Sequence, residues 1–157
     1  HSENEERDIS YNKDVVGLNL PEAVKICFKK YFNFKDRASR SEYWYFALFG
    51  VIVYGIGIGM IFISYKLIWL LVVISIALII PFIAVTARRL HDINKSGWFQ
   101  LLSVPAGILE AVFHAQKGLE ILFMIIGWVC ALYLFVLYIQ EGDRNSNRFG
   151  ENPLKIK

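Results

Sequence analysis

The chain has 157 residues, of which 55% are apolar and 20% are charged. Soluble globular domains contain about 45–50% apolar residues; in this chain the excess lies in long uninterrupted runs, which excludes a soluble domain. The net charge of +3 falls between these runs, so we expect it to face anionic lipid headgroups and not a nucleic acid. The composition therefore predicts an all-α membrane protein.

The N-terminal part of the chain is polar until an amphipathic segment begins. We predict that residues 1–19 form a polar tail and that residues 20–42 form an interfacial helix followed by a charged motif. Pro21 suits the first turn of this helix. The apolar residues recur at helical spacing, which is typical of a helix lying at the membrane surface. They are Leu20, Val24, Cys27, Phe28 and Tyr31.

Four apolar runs predict membrane-crossing helices, at about residues 43–64, 67–87, 97–115 and 119–139. A run as long as the first reaches about 33 Å as a helix, which is enough to cross the hydrocarbon core. The break between the first two runs, at Lys66, is so short that the chain must reverse there. We therefore expect a domain over residues 43–139 with four transmembrane helices in two antiparallel hairpins.

The third run is the weakest of the four. Its polar or helix-disturbing residues are Pro105, Gly107, Glu110 and His114. We retain it as a span because its removal would place the polar segments on either side of it on opposite faces of the membrane. The distribution of positive charge argues against that arrangement.

Lysine and arginine are concentrated before the first run, between the second and third runs (residues 88–96), and in the tail over residues 140–157. The other two connections carry Lys66 and Lys117. Positively charged segments are retained on the cytoplasmic side. We therefore predict a multi-pass protein of the bacterial inner (plasma) membrane with both termini in the cytoplasm.

No pattern in the chain indicates catalysis or a bound metal. Cys27 and Cys130 are far apart in the sequence, and neither lies in a CxxC motif or a Cys/His cluster. Nucleophile elbows, HExxH motifs, paired carboxylates and phosphate-binding loops are absent from the sequence. We predict a non-enzymatic protein without metal or cofactor.

Three polar stretches fall on the same predicted side of the membrane. Arginine side chains there can form two parallel hydrogen bonds to phosphate or carboxylate, and His91 beside Asp92 could act as a general base. The alternative is that these residues only retain the loops inside and cap helices. The candidate cluster for binding lipid or a partner consists of Arg37, Arg40, Glu42, Arg88, Arg89, His91, Asp92 and Asn147.

Two features lie within the predicted spans. Gly55 and Gly59 form a GxxxG motif, which lets another helix approach closely, so we predict helix packing there. Glu110 and His114 are four residues apart and would share one helical face, which makes them a possible intramembrane polar pair. Their predicted position in the last turns of the third span also fits an interfacial location.

The chain resembles a family of small four-helix bacterial inner-membrane proteins, the YhaH-like domain of unknown function 805. The resemblance rests on FNFKDRASRSEYWYFALF, on ARRLHDINKSGWFQLL, and on EG followed by NRFGENP. Asp36 stands where a glycine is usual in the family. The resemblance implies a membrane location and a four-helix architecture, but it implies no biochemical activity.

Two hypotheses for function follow from these predictions. In the first, the polar cluster at the cytoplasmic face binds anionic lipid headgroups or docks a partner membrane protein. In the second, the protein is a small transporter or channel subunit that forms a homo-oligomer through the first span, with Glu110 and His114 near its outer mouth.

Overall fold

The computed structural model describes residues 17–154, so residues 1–16 of the predicted polar tail and residues 155–157 lie outside the described chain. The α-helices are α1 (Leu20–Lys29), α2 (Arg40–Ile63), α3 (Ile68–Asp92), α4 (Val104–Val112) and α5 (Lys117–Ile139). Short 3₁₀ helices, Tyr65–Leu67 and Gly97–Ser103, precede α3 and α4. Between residues 17 and 154 no β-strand forms, which agrees with the predicted all-α class.

α1 is an amphipathic helix that lies along α2. It begins with a capping box, in which the Asn19 side chain accepts the N–H of Glu22 at 3.0 Å and the Glu22 carboxylate accepts the N–H of Asn19 at 3.2 Å. Cys27 is buried in an apolar cluster with Phe46 of α2. The ring of Phe28 meets that of Phe46 edge-on, 5.9 Å between centroids.

α2 and α3 pack as an antiparallel hairpin. The hairpin begins where the Ser39 hydroxyl caps α2 by accepting the N–H of Glu42 at 3.2 Å. Near the turn, a Cβ added to Gly57 would stand 2.5 Å from the Leu71 side chain. The close helix contact inside this chain is therefore made at Gly57.

The glycines for which we predicted helix packing lie elsewhere on α2. A Cβ added to Gly55 or to Gly59 would meet nothing within 4 Å. Neither glycine therefore packs against another helix of the part of the chain that the structure describes, which leaves this face of α2 open to lipid or another molecule.

Within residues 17–154, three helical stretches are long and apolar enough to cross a membrane, and they are Arg40–Ile63, Tyr65–Asp92 and Lys117–Ile139. Many of their large apolar side chains are exposed. Apolar surface of this extent is unusual for a soluble monomer but is expected of helices surrounded by lipid.

The third predicted span differs from a single helix over residues 97–115. It consists of the 3₁₀ helix Gly97–Ser103 followed by α4, and α4 ends at Val112. Pro105 occupies the first turn of α4, a position at which proline is tolerated. His114 lies in the turn after α4, so it does not share a helical face with Glu110 as we predicted. In the described part of the chain no ion pair joins these two residues.

α3 continues past the predicted end of the second span at Ala87, through residues expected to form a charged loop, and ends at Asp92. Every residue from Ala84 to Asp92 is buried. The last turns of α3 are thus enclosed by the loop before α2, the end of α5 and the C-terminal tail. We call this end of the bundle, where Arg40, Asp92 and Ile139 lie, the charged end.

Candidate functional site

The carboxylate of Asp92, the last residue of α3, lies between two arginine side chains. Nε of Arg37 donates to its Oδ1 at 3.0 Å, and Nη1 of Arg89 donates to its Oδ2 at 2.5 Å. The side chain of Asp92 is 6% exposed and those of the arginines 1% or less. An unpaired charge at this depth would cost several kcal/mol, so the three groups stabilise one another.

Arg37 also holds the C-terminal tail. Its Nη1 donates to the carbonyl oxygens of Asn145 at 2.7 Å and Gly150 at 3.3 Å, and its Nη2 donates to that of Asp143 at 2.5 Å. Gly150 has a φ of +124°, which favours glycine, and its N–H donates to the Asn147 carbonyl at 3.0 Å to close a tight turn. One guanidinium therefore joins the loop before α2, the end of α3 and the tail.

Arg89 caps the end of α5. The last carbonyl groups of a helix lack intrahelical donors. Nε of Arg89 donates to the Tyr138 carbonyl at 3.1 Å, and its Nη2 donates to the Gln140 carbonyl. The helix dipole also favours a cation at this position. Arg89 thereby fixes the end of α5 against the end of α3.

A second buried ion pair joins α3 to α2. Arg88 pairs with Glu42, and their side chains are 0% and 4% exposed. Nε and Nη2 of Arg88 find no hydrogen-bond partner among the described residues. Hydrogen bonds therefore offset less of the free-energy cost of desolvating Arg88 than of desolvating Arg37 or Arg89. We call Arg37, Arg89, Asp92, Arg88 and Glu42 the buried charge cluster.

Cys27 of α1 lies beside this second pair, with its Sγ 3.8 Å from Oε1 of Glu42. Burial, together with the negative charge of Glu42, raises the pKa of the Cys27 thiol from its ordinary 9.0 to about 12. The thiolate is the reactive form of cysteine. Cys27 is therefore an inert packing residue in the folded protein.

His91 points away from Asp92. Its Nδ1 lies 3.1 Å from the carbonyl oxygen of Asp36, which can only accept, so Nδ1 donates. Its ring stacks on Phe149 at 3.8 Å, and its own carbonyl accepts Nδ2 of Asn147 at 2.9 Å. The side chains of His91 and Asp92 thus do not form the acid–base pair that their adjacency suggested. His91 connects the loop before α2 to the tail.

Asp36 closes the turn after α1. Its carboxylate accepts from Nζ of Lys30 at 3.0 Å and from Nδ2 of Asn33 at 2.8 Å. Burial by itself would raise the pKa of Asp36, but the hydrogen bond and charge of Lys30 outweigh it and hold that pKa below its usual value. Its φ is not positive, so this turn does not require glycine.

Hydrogen bonds and ion pairs connect the residues of the predicted cluster except Arg40. Arg40 is the first residue of α2 and is exposed. Among residues 17–154 it takes no part in the hydrogen bonds of the buried charge cluster. The arginines of the first two motifs thus divide into three buried structural residues, Arg37, Arg88 and Arg89, and the exposed Arg40.

Two residues that matter at the charged end were not singled out as candidates. A Cβ added to Gly142 would overlap the Asp92 carboxylate, and the EG pair of the third motif was the signal for it. The ring of Phe149 covers His91, and no local pattern in the sequence indicates that stacking partner.

Known proteins that resemble this chain are membrane proteins without an assigned activity. The family model described as "Protein of unknown function (DUF805)" matches residues 31–151. Inner membrane protein YhaI of Escherichia coli (strain K12) is 34% identical over 127 residues, which cover 80% of this chain and 89% of that protein. Inner membrane protein YhaH of the same strain is 32% identical over 133 residues, which cover 80% and 90%.

No solved structure matches the chain. The resemblance seen in the three motifs is confirmed by the family match and by both relatives, each of which covers most of the sequence. The chain belongs to the DUF805 family of membrane proteins.

Proposed function

We propose that this protein is a non-enzymatic, polytopic inner-membrane module whose cytoplasmic surface binds anionic lipid headgroups. The observation that carries the proposal is the division of cations at the charged end. The arginines of the buried charge cluster are occupied by carboxylates and backbone carbonyls of the protein itself. Between residues 20 and 40, the cations left at the surface are Lys25, Lys29, Lys35 and Arg40.

These exposed cations suit the surface of an anionic leaflet. A lysine or arginine near such a surface contributes about 1 kcal/mol of attraction. Beside Lys35, the rings of Phe32 and Phe34 are 73% and 41% exposed, and aromatic rings are favoured at the headgroup level. The buried charge cluster would then act as the rigid frame that presents this surface.

A cavity of about 510 Å³ also lies beside the cluster, but its charges balance. Lys29, Lys30 and Arg37 line it together with Asp36, Glu42 and Glu151. A mixed lining of this kind does not select an anion. We therefore assign headgroup binding to the exposed cations and not to this cavity.

The arrangement of helices supports four membrane crossings with both ends on the cytoplasmic side. α3 ends at the charged end, and α5 also ends there, because Arg89 binds the Tyr138 carbonyl. The chain between them must therefore return to the opposite end. The 3₁₀ helix and α4 together, Gly97–Val112, would extend about 27 Å if coaxial, which approaches the roughly 30 Å of a hydrocarbon core.

The lipid preference is tested by the thermal melting of purified protein in detergent with added phosphatidylglycerol or phosphatidylcholine. We expect phosphatidylglycerol to raise the melting temperature more, and high salt to reduce the difference. Replacing Lys25, Lys29 and Lys35 by Gln together should diminish that preference. Equal effects of the two lipids on the parent protein would overturn the proposal, and would favour partner docking instead.

The topology is tested with single cysteines in a Cys27→Ala, Cys130→Ala background. Exposed positions 35 and 146 should resist a membrane-impermeant maleimide in cells with an intact inner membrane, whereas exposed positions 66 and 116 should react. Labelling at position 146 but not at 35 would contradict four crossings.

A further inference from the structure

The two helices of the α2–α3 hairpin enclose an apolar groove on the membrane side of the charged end. Its volume is about 830 Å³, which lies in the range of about 300–1,000 Å³ that holds one small-molecule ligand. The residues of its wall include Phe46, Gly50, Tyr54 and Gly55 of α2, and Leu78 and Phe82 of α3. All belong to stretches apolar enough to cross a membrane.

Two glycines give the groove its depth. A Cβ added to Gly50 or to Gly55 would meet nothing within 4 Å. Because these two residues have no side chain, the outer side of α2 is recessed at both positions. No other described helix packs into the recess. A groove of this kind at membrane depth is filled by apolar chains, because water gains no hydrogen bonds there.

A single exposed cation stands above the groove on the same face of α2. Arg40 precedes Ala47 and Val51, both groove residues, by about two and three helical turns, so the three side chains lie on one helical face. The rise from Arg40 to Ala47 is about 10 Å. This distance suits an arginine at phosphate level above chains that begin at the hydrocarbon boundary.

The local charge around Arg40 favours an anion. The nearest carboxylate along α2, Glu42, is buried and paired with Arg88. Within the described chain no carboxylate pairs with Arg40, whereas Asp92 is occupied by two other arginines. A guanidinium without a carboxylate partner can form two parallel hydrogen bonds to a phosphate.

We propose that the α2–α3 groove and Arg40 form a site for one anionic phospholipid, whose acyl chain fills the groove and whose phosphate binds the Arg40 guanidinium. The proposal rests on the proposed function, since it places one defined lipid within the general attraction of the cytoplasmic surface for anionic headgroups. It differs from that attraction because it requires a particular groove and one particular arginine.

The test is native mass spectrometry of the full chain, purified in mild detergent with equal phosphatidylglycerol and phosphatidylcholine. The parent protein should retain one phospholipid per chain, with phosphatidylglycerol preferred. Gly50→Leu and Gly55→Leu fill the groove and should each reduce retention about tenfold. Gly59→Leu is the matched control, because Gly59 is equally open but does not line the groove.

The headgroup contact is tested in the same experiment. Arg40→Gln should abolish the preference for phosphatidylglycerol, whereas Lys66→Gln, which removes an exposed cation beyond the opposite end of α2, should keep it. Equal loss of lipid in Gly59→Leu and Gly55→Leu would show that the glycine face contacts a second chain. Full retention in both groove variants, or an unchanged preference in Arg40→Gln, would also overturn the site.

The two proposals can fail separately. If the groove variants keep their lipid while phosphatidylglycerol still raises the melting temperature of the parent, only the groove site is wrong. If phosphatidylglycerol has no advantage over phosphatidylcholine in the parent in either experiment, headgroup binding at the cytoplasmic surface is wrong as well.

Discussion

The hydroxyl of Tyr31 donates a hydrogen bond of 2.6 Å to the carbonyl oxygen of Ala77 in α3. In a regular helix this carbonyl would accept the N–H of the residue four positions later, but that residue is Pro81, which has none. A carbonyl without a donor is costly where water is absent. The tyrosine after α1 therefore supplies the donor that the proline removed, and it fixes that part of the chain to α3.

Tyr31→Phe should lower the free energy of unfolding by about 1–2 kcal/mol, since it leaves the Ala77 carbonyl unpaired. In a Pro81→Ala background the backbone N–H is restored, and the same substitution should have little effect. A double-mutant cycle by thermal melting in detergent measures this coupling. Equal effects of Tyr31→Phe in the two backgrounds would show that the hydroxyl does not act through this carbonyl.

Arg89→Lys should destabilise the protein by about 3 kcal/mol, because an ammonium group cannot reach Asp92, Tyr138 and Gln140 at once. Arg40→Lys, at an exposed position of the same end, is the matched control and should melt like the parent. Both variants keep the positive charge, so the topology should not change. Of these two arginines, Arg89 takes part in the hydrogen bonds of the buried charge cluster and Arg40 does not.

Replacing the Arg88–Glu42 pair as a whole should be better tolerated than breaking it. Arg88→Met or Glu42→Leu alone leaves one buried charge without its partner and should cost about 3–5 kcal/mol. The double variant should recover to within about 1 kcal/mol of the parent, because two donor nitrogens of Arg88 are already without partners. A double variant as unstable as the worse single one would mean that the pair has further partners.

Gly142→Ala should loosen the tail, because its Cβ would overlap the Asp92 carboxylate and displace it from an arginine. We expect a loss of about 1–3 kcal/mol, as for other overpacked sites, together with faster proteolysis after residue 142. Gly107→Ala in α4 is the control, since a Cβ there meets nothing within 4 Å, and it should be neutral or slightly stabilising.

Cys27 should resist alkylation in the folded protein. In a Cys130→Ala background, N-ethylmaleimide at pH 8 should react with it slowly in mild detergent and rapidly in SDS, because the raised pKa of Cys27 keeps the thiol protonated. The raised pKa of Cys27 also makes the free energy of unfolding depend on pH. The stabilisation from the buried neutral thiol is complete below pH 9 and is lost as the pH rises toward 12. Rapid labelling of the folded protein would contradict the buried position.

The sequence was informative wherever the determining property is local. Long apolar runs predict helices that can cross a membrane, since length and hydropathy are read directly from consecutive residues, and the family motifs identified the chain's relatives. The second apolar run shows where local properties stop predicting the structure. Local polarity predicted a loop after Ala87, but Arg88 to Asp92 remain helical because segments distant in the sequence pair their charges.

The role of each charged residue was decided only by the tertiary structure. Arg37 and Arg40 belong to the same motif and are chemically identical, yet one is buried with five acceptor atoms while the other is exposed. The difference arises because the tail and the end of α3 surround Arg37, whereas Arg40 begins α2 on its outer face. Partners more than fifty positions away in the sequence determine which arginine stabilises the fold and which remains available to a ligand.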